Sequence, residues 1–239
     1  MDTLPQHDRT PHAAPRPADP AGLHRRVTAI SLAGSAALVA LGGAIAPENS
    51  GEPDEFYRMA IEDSGRLTAE AVLMVVSSVL LVFGVIGTAR LVRGRGRHLA
   101  RAAAVLGVMG ALGHAAYATF TLLLPPIVTA ASGREAAIAT LEEINSSGGG
   151  AVVVPLILAY ALSVLLLPIA LYRGGLAPLW VVGLAAAAVA IEAFPSGAVD
   201  LSLVKYTLAL AAMAAIAARI LRLSDAEWRD PSTIGTASR

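Results

Sequence analysis

The sequence predicts an all-α fold: a polytopic membrane helix bundle of six transmembrane helices with short amphipathic helices in the loops of one side. Three observations predict it. Of 239 residues, 55% are hydrophobic and only 15% are charged, where a water-soluble domain carries roughly 25% charged residues. The apolar residues gather into six runs, each near the ~20 residues a helix needs to cross the hydrocarbon core. The arginines, finally, sort to one side of those runs. In lipid such runs must be helical, because an open strand leaves backbone amides unpaired.

Residues 1–22 hold five prolines and no periodic apolar pattern. They bury too little to offset ordering and read as a disordered tail. The first run is 27–46. Arg25-Arg26 ahead of a run ending Ala44-Ile45-Ala46 has the parts of a secretory signal. The run is long for a signal core, however, Pro47 follows the would-be cut, and its removal would leave an odd number of helices, so it reads as a span. The second run is 67–92, followed by an arginine-rich turn over 93–101. The third, 102–124, is expected to stop at Pro125 and Pro126. The fourth is 151–171, with Pro155 expected in its first turn; the Gly-Gly-Gly at 148–150 reads as a hinge. A short turn leads to the fifth, 176–194, and the stretch 195–200 to the sixth, 201–218. The spanning domain thus covers 23–221, and 222–239, after one last amphipathic turn, reads as a second tail.

Two of the connecting segments carry helical patterns. Over 132–145, Ser132 and Glu135 have capping-box spacing, and Ile138, Leu141 and Ile144 share a face. Over 53–63, Phe56, Met59 and Ala60 oppose Glu55, Glu62 and Asp63. Both read as surface helices lying on the bundle; a lid over an outward-opening cavity is the functional alternative.

Orientation follows from arginine placement. The chain has 17 Arg and one Lys. With the N-terminus inside, 14 arginines fall on inner segments and three (Arg58, Arg66 and Arg134) on outer ones. One arrangement, with both termini inside, satisfies the positive-inside bias at every loop.

Formal net charge is zero, which gives no pull toward nucleic acid. The absence of cysteine excludes disulfides, thiolate metal sites and thiol catalysis. There is no phosphate-binding glycine loop, no HExxH and no Cys/His cluster, so no catalytic residue, metal or cofactor is expected. Ser77, Ser78 and Ser163 fall within spans, but none sits in the GxSG-type turn of an intramembrane serine protease; they are expected to bond backbone. No repeated halves or helices broken at midplane mark a transporter.

Chemistry is best sought among polar groups at membrane depth, since a charge at the bilayer centre costs about 2.5–3.5 kcal/mol on insertion scales. Glu70, His114, Glu192 and Lys205, the only lysine, lie inside the spans. Glu192 and Lys205 end and begin antiparallel neighbours and are expected at similar depth, where an ion pair is sterically reasonable. The two side chains either snorkel to the outer headgroups, or pin two helices together, or belong, with Glu70 and nearby Asp200, to a net-acidic patch that takes a cation or proton from outside. His114 lies mid-helix in GVMGALGHAAY, where Gly107, Ala111 and Ala115 allow a close helix approach. Its imidazole is expected to point inward, bonded to a carbonyl or to Tyr160, with a proton relay or ligand contact as the alternative. A second histidine at membrane depth is lacking, which argues against haem.

The stretch Tyr172-Arg173-Gly174-Gly175-Leu176-Ala177-Pro178-Leu179-Trp180, with helical outer loops, resembles a set of bacterial six-helix membrane proteins of unknown function that are common in actinobacteria. The resemblance covers roughly 23–223. It implies the topology and a place in the plasma membrane, and brings no activity or catalytic residues. Tyr172 and Trp180 also fit as plain interfacial anchors. The lipid bilayer is the expected partner, with a small ligand or ion from the outer side. Three function classes remain: a non-enzymatic binding or interaction module, a small-molecule or proton-coupled carrier using the four ionisable residues, and, least favoured, an intramembrane enzyme.

Overall fold

A computed structural model describes residues 20–47, 52–192 and 201–234. They form α1 (Pro20–Ile45), α2 (Pro53–Glu62), α3 (Ser64–Ala89), α4 (Arg97–Ala130), α5 (Arg134–Ser146), α6 (Gly149–Arg173), α7 (Leu179–Glu192), α8 (Ser202–Arg222) and α9 (Asp225–Arg229), with no strand among the described residues. Five helical segments are long and apolar enough to cross a membrane: Pro20–Ile45, Ser64–Ala89, Gly94–Ala130, Ala151–Arg173 and Ser202–Arg222. The sixth apolar helix, Leu179–Glu192, has 14 residues. Its described part is about 21 Å long at 1.5 Å per residue, and the residues after it, 193–200, lie outside the described residues. The segment 195–200 and Asp200, which follow it, lie outside the described residues, as do 1–19.

The six apolar helices close a ring. Each packs on the next in chain order, α1 on α3, α3 on α4, α4 on α6, α6 on α7 and α7 on α8, and α8 returns to α1. The main core lines that ring, with Leu32, Val85, Leu167, Val181 and Ile216 fully enclosed. Large aliphatic side chains also cover the outside: Ile30, Val79, Phe83, Val105, Leu112, Leu158 and Leu203 are all exposed. A water-soluble protein rarely shows apolar surface on this scale; a helix that is apolar all round belongs in a core or in lipid.

Close approach between neighbours depends on small residues. A Cβ at Gly84 would lie 2.8 Å from the Leu32 backbone, and one at Gly110 would lie 2.6 Å from Cα of Tyr160. On α4 the tightest face is therefore Gly107, Gly110 and Gly113 against α6, and not Gly107, Ala111 and Ala115. Spacing of three follows the row of residues that α6 covers, while Ala111 faces the shared core. Serines add hydrogen bonds across seams. Ser77 Oγ donates to the Ser35 carbonyl at 3.0 Å, and Ser163 Oγ to that of Ala103 at 2.8 Å. Ser78 Oγ bonds its own helix, at Met74 O.

Several local expectations are corrected. Pro125 and Pro126 do not end α4, which runs on to Ala130. Leu124, at the end of the membrane run, and Val128 beyond it pack with Ala60, Ala137 and Leu141, and that burial outweighs the two lost backbone bonds. The ring of Phe56 stands edge-on to Phe120 at 5.8 Å in the same small core, so α2 and α5 sit as a cap on the extended end of α4. Ser132 does not cap α5: the N-cap is Gly133 at φ +153°, a turn for which a residue without Cβ is suited. Gly148, at φ +80°, starts α6 with Gly149 already helical. Pro155 accordingly falls beyond the first turn.

The tails are corrected too. The described residues 20–22 are already helical, within α1, and so are not tail. Over 224–234 the chain does not trail away, while 235–239 lie outside the described residues. Ser224 and Glu227 form a reciprocal capping box on α9, and Trp228 is 1% exposed.

Candidate functional site

Both faces of the ring's chemistry are set by which helix ends meet. At one end lie the C-terminal ends of α1 and α7, the N-terminal ends of α3 and α8, and the α2–α5 cap. Arg66 Nε donates to Ile45 O there at 2.9 Å, and Arg134 pairs with Asp54 at 2.6 Å. Asp54's hydrogen bond holds the Arg134 guanidinium above its ordinary value. The opposite end gathers the arginines. Arg25 pairs with Asp225 at 2.7 Å and also donates to Leu223 O, while Arg90 lies 5.2 Å from the centroid of the Trp228 ring.

Just inside the first end the ring encloses a cavity of about 230 Å³. All six ring helices contribute: Val39 from α1, Glu70 and Met74 from α3, His114 and Tyr117 from α4, Tyr160 and Val164 from α6, Ala188 and Glu192 from α7, Lys205, Tyr206 and Ala209 from α8. The structure thus brings Glu70, His114, Glu192 and Lys205 into one space. Lys205 Nζ is 2.6 Å from Glu192 Oε2 and 4.5 Å from the centroid of the Tyr206 ring. The helical reason is simple: α7 ends where α8 begins, so Glu192 in the last turn faces Lys205 in the first.

Glu70 is 5% exposed. It stands in the second turn of α3, its stem against Gly42 of α1. None of the four ion pairs among the described residues includes it. His114 is 7% exposed and its ring lies 4.4 Å from that of Tyr160, tilted 49°. His114 Nδ1 is buried with no hydrogen-bond partner among the described residues; the expected bond to a carbonyl or to Tyr160 is not what holds that nitrogen. Asp200 lies outside the described residues.

Sequence reasoning passes over Tyr117 and Tyr206 and treats Tyr160 only as a partner of His114. Aromatic residues in membrane helices are ordinary filling, so nothing in their spacing marks them as lining. One signal was present: Gly43 lies where a Cβ would come within 2.0 Å of the Tyr206 ring, so that glycine makes room for the phenol. The three serines all donate to backbone carbonyls. Among the described residues no group of three or more His, Asp or Glu is placed to hold a metal ion.

Among the described residues the fold and cavity define an all-helical protein with several helices suited to a membrane and a mainly apolar chamber that carries a few polar groups. No protein-family model, no curated protein and no solved structure matches the chain.

Proposed function

We propose that this chain is a six-helix protein of the plasma membrane with both termini in the cytoplasm, acting as a non-enzymatic binding module that takes a small ligand from the outer side. The observation that carries the reading is the convergence of four ionisable side chains and three tyrosines on one cavity at the arginine-poor end. Ionisable groups inside a membrane bundle are costly and mark ligand or ion sites, and a concave, mainly apolar space with a few convergent polar groups is the usual form of a small-molecule site. The positive-inside bias supports the orientation, because the arginine-rich segments meet at the other end.

A second reading, a proton-coupled carrier, is favoured by the unpartnered Nδ1 of buried His114 beside the same cavity. It requires uptake into proteoliposomes, which a binding module does not give.

The test uses the absence of cysteine. Single cysteines at Ala188 and Ala209, both lining the cavity, are exposed in intact cells to a membrane-impermeant thiol reagent, with Ser146→Cys in the outer loop as control. Labelling at both is the expected result. Protection of both with the control labelled would contradict ligand entry from outside and leave the Glu192–Lys205 pair as a helix clamp.

A further inference from the structure

We propose that the ligand is a small organic ammonium ion, held by the Glu70 carboxylate against the rings of Tyr117 and Tyr160. This rests on the ligand-binding reading of the same cavity and adds the chemical class.

The cavity's charges do not balance. It is lined by two carboxylates, Glu70 and Glu192, and one ammonium, Lys205. That ammonium is committed to Glu192, 2.6 Å away. Glu70 is buried and, among the described residues, is in none of the ion pairs. The segments that join α1 to α2 and α7 to α8, 48–51 and 193–200, contain no Lys, Arg or His that could supply a cation. A buried carboxylate without a partner is costly, and a bound cation removes that cost. His114, which also lines the cavity, has a buried Nδ1 with no hydrogen-bond partner among the described residues.

The walls choose the kind of cation. A hard divalent ion needs six or more oxygen ligands or retains its water, and the described residues offer no cluster of three acidic or histidine groups. Aromatic faces and aliphatic side chains suit a weakly hydrated organic cation, which the ring quadrupole attracts. The protein already shows this mode once. Lys205 places its own ammonium between a carboxylate and the Tyr206 ring. Glu70, with Tyr117 and Tyr160 on the facing helices, repeats the same components without the cation. A space of about 230 Å³ equals about eight waters at their liquid share, enough for an ammonium with a short carbon chain.

The test is isothermal titration calorimetry on the purified full chain in nanodiscs at pH 7.5, with n-butylammonium chloride at constant ionic strength. Saturable binding by the natural protein is expected. Glu70→Gln should weaken it at least tenfold, and Tyr117→Leu several-fold, while Tyr117→Phe, which keeps the ring, retains it. Magnesium chloride should give no saturable signal. The tyrosine pair keeps the outcome readable if Glu70→Gln fails to fold. Absence of saturable butylammonium binding, equal binding by Glu70→Gln and Tyr117→Leu, or saturation by magnesium instead would overturn the ammonium class. If the Ala188 and Ala209 cysteines are labelled while butylammonium does not bind, only this inference fails; if both cysteines are protected, the binding reading falls with it.

Discussion

The two ends of the helix ring handle charge in opposite ways. At the basic end Arg90, Arg93, Arg97 and Arg101 are all exposed and border a cavity of about 590 Å³ whose other walls include Ile86 and Val105. Solvated charges of this kind need no dedicated partner; they orient the chain and attract anionic surfaces. At the acidic end the ionisable groups are inside. Glu70 and His114 are buried, Lys205 has a side chain 18% exposed, and only Glu192, at 49%, reaches well into the open. The comparison separates topology from chemistry. In the proposed reading the exposed arginines set which way the protein faces, and the buried Glu70 carboxylate and His114 imidazole mark the ligand site.

The basic end is closed by α9 and the acidic end holds the chamber, so damage to one should spare the other. Trp228→Ala should have the largest local effect. Truncating a buried tryptophan costs about 3–5 kcal/mol, enough to undock a five-residue helix. Hydrogen exchange over 224–234 should rise sharply, while labelling at Ala188→Cys stays unchanged; a simultaneous loss of labelling would show that the ends are coupled. Next comes Gly110→Ala. The added methyl meets the Tyr160 backbone at 2.6 Å, and overpacking of this kind costs about 1–3 kcal/mol. The thermal midpoint in detergent should drop and His114 and Tyr160 should be displaced, with α9 still docked.

A double-mutant cycle on Glu192→Gln and Lys205→Met sharpens the acidic end. Each single change leaves an uncompensated charge in a partly buried site, so the double variant should be more stable than the two losses predict, by about 1–2 kcal/mol. Additive losses would mean the pair contributes nothing to packing. The smallest effect is on the basic end and depends on pH. Hydrogen bonds from Ser224 hold the Glu227 carboxyl below its ordinary 4.5, and those from Ser232 hold Asp230 below 3.8. A carboxyl lowered in the folded state stabilises above its unfolded value and loses that contribution as pH falls through the folded one. The α9 clasp should therefore weaken only below about pH 4.5, followed by Trp228 fluorescence in a Trp180→Phe background. Loosening already at pH 6 would point to a different group.

Much of this was legible in the sequence because lipid is a strict solvent. Long apolar runs and a sparse set of internal charges stand out, so Glu70, His114, Glu192 and Lys205 could be singled out by cost alone. What was not legible depended on tertiary packing. Ser132-x-x-Glu135 and Ser224-x-x-Glu227 have the same spacing, yet only the second forms a capping box, because Gly133 supplies a sharper turn at the first. Pro125 and Pro126 signal a stop that the Leu124 and Val128 contacts override. Tyr117, Tyr160 and Tyr206 look like any aromatic filling until helices far apart in the chain put them round one space. The fate of 224–234 turns on whether Trp228 finds a pocket, and no local pattern reports that.

The central claim is a chamber that opens at the acidic end and stops within the ring. It is tested most directly by accessibility along α8, comparing Ala209, which lines the cavity, with Ala217, which is 4% exposed in the main core. Single cysteines at the two positions would be treated with an impermeant thiol reagent, first on intact cells and then on inverted vesicles. The account predicts that Ala209→Cys is labelled from outside and that Ala217→Cys is labelled from neither side. Protection of Ala209→Cys from outside, or labelling of Ala217→Cys in inverted vesicles, would contradict it.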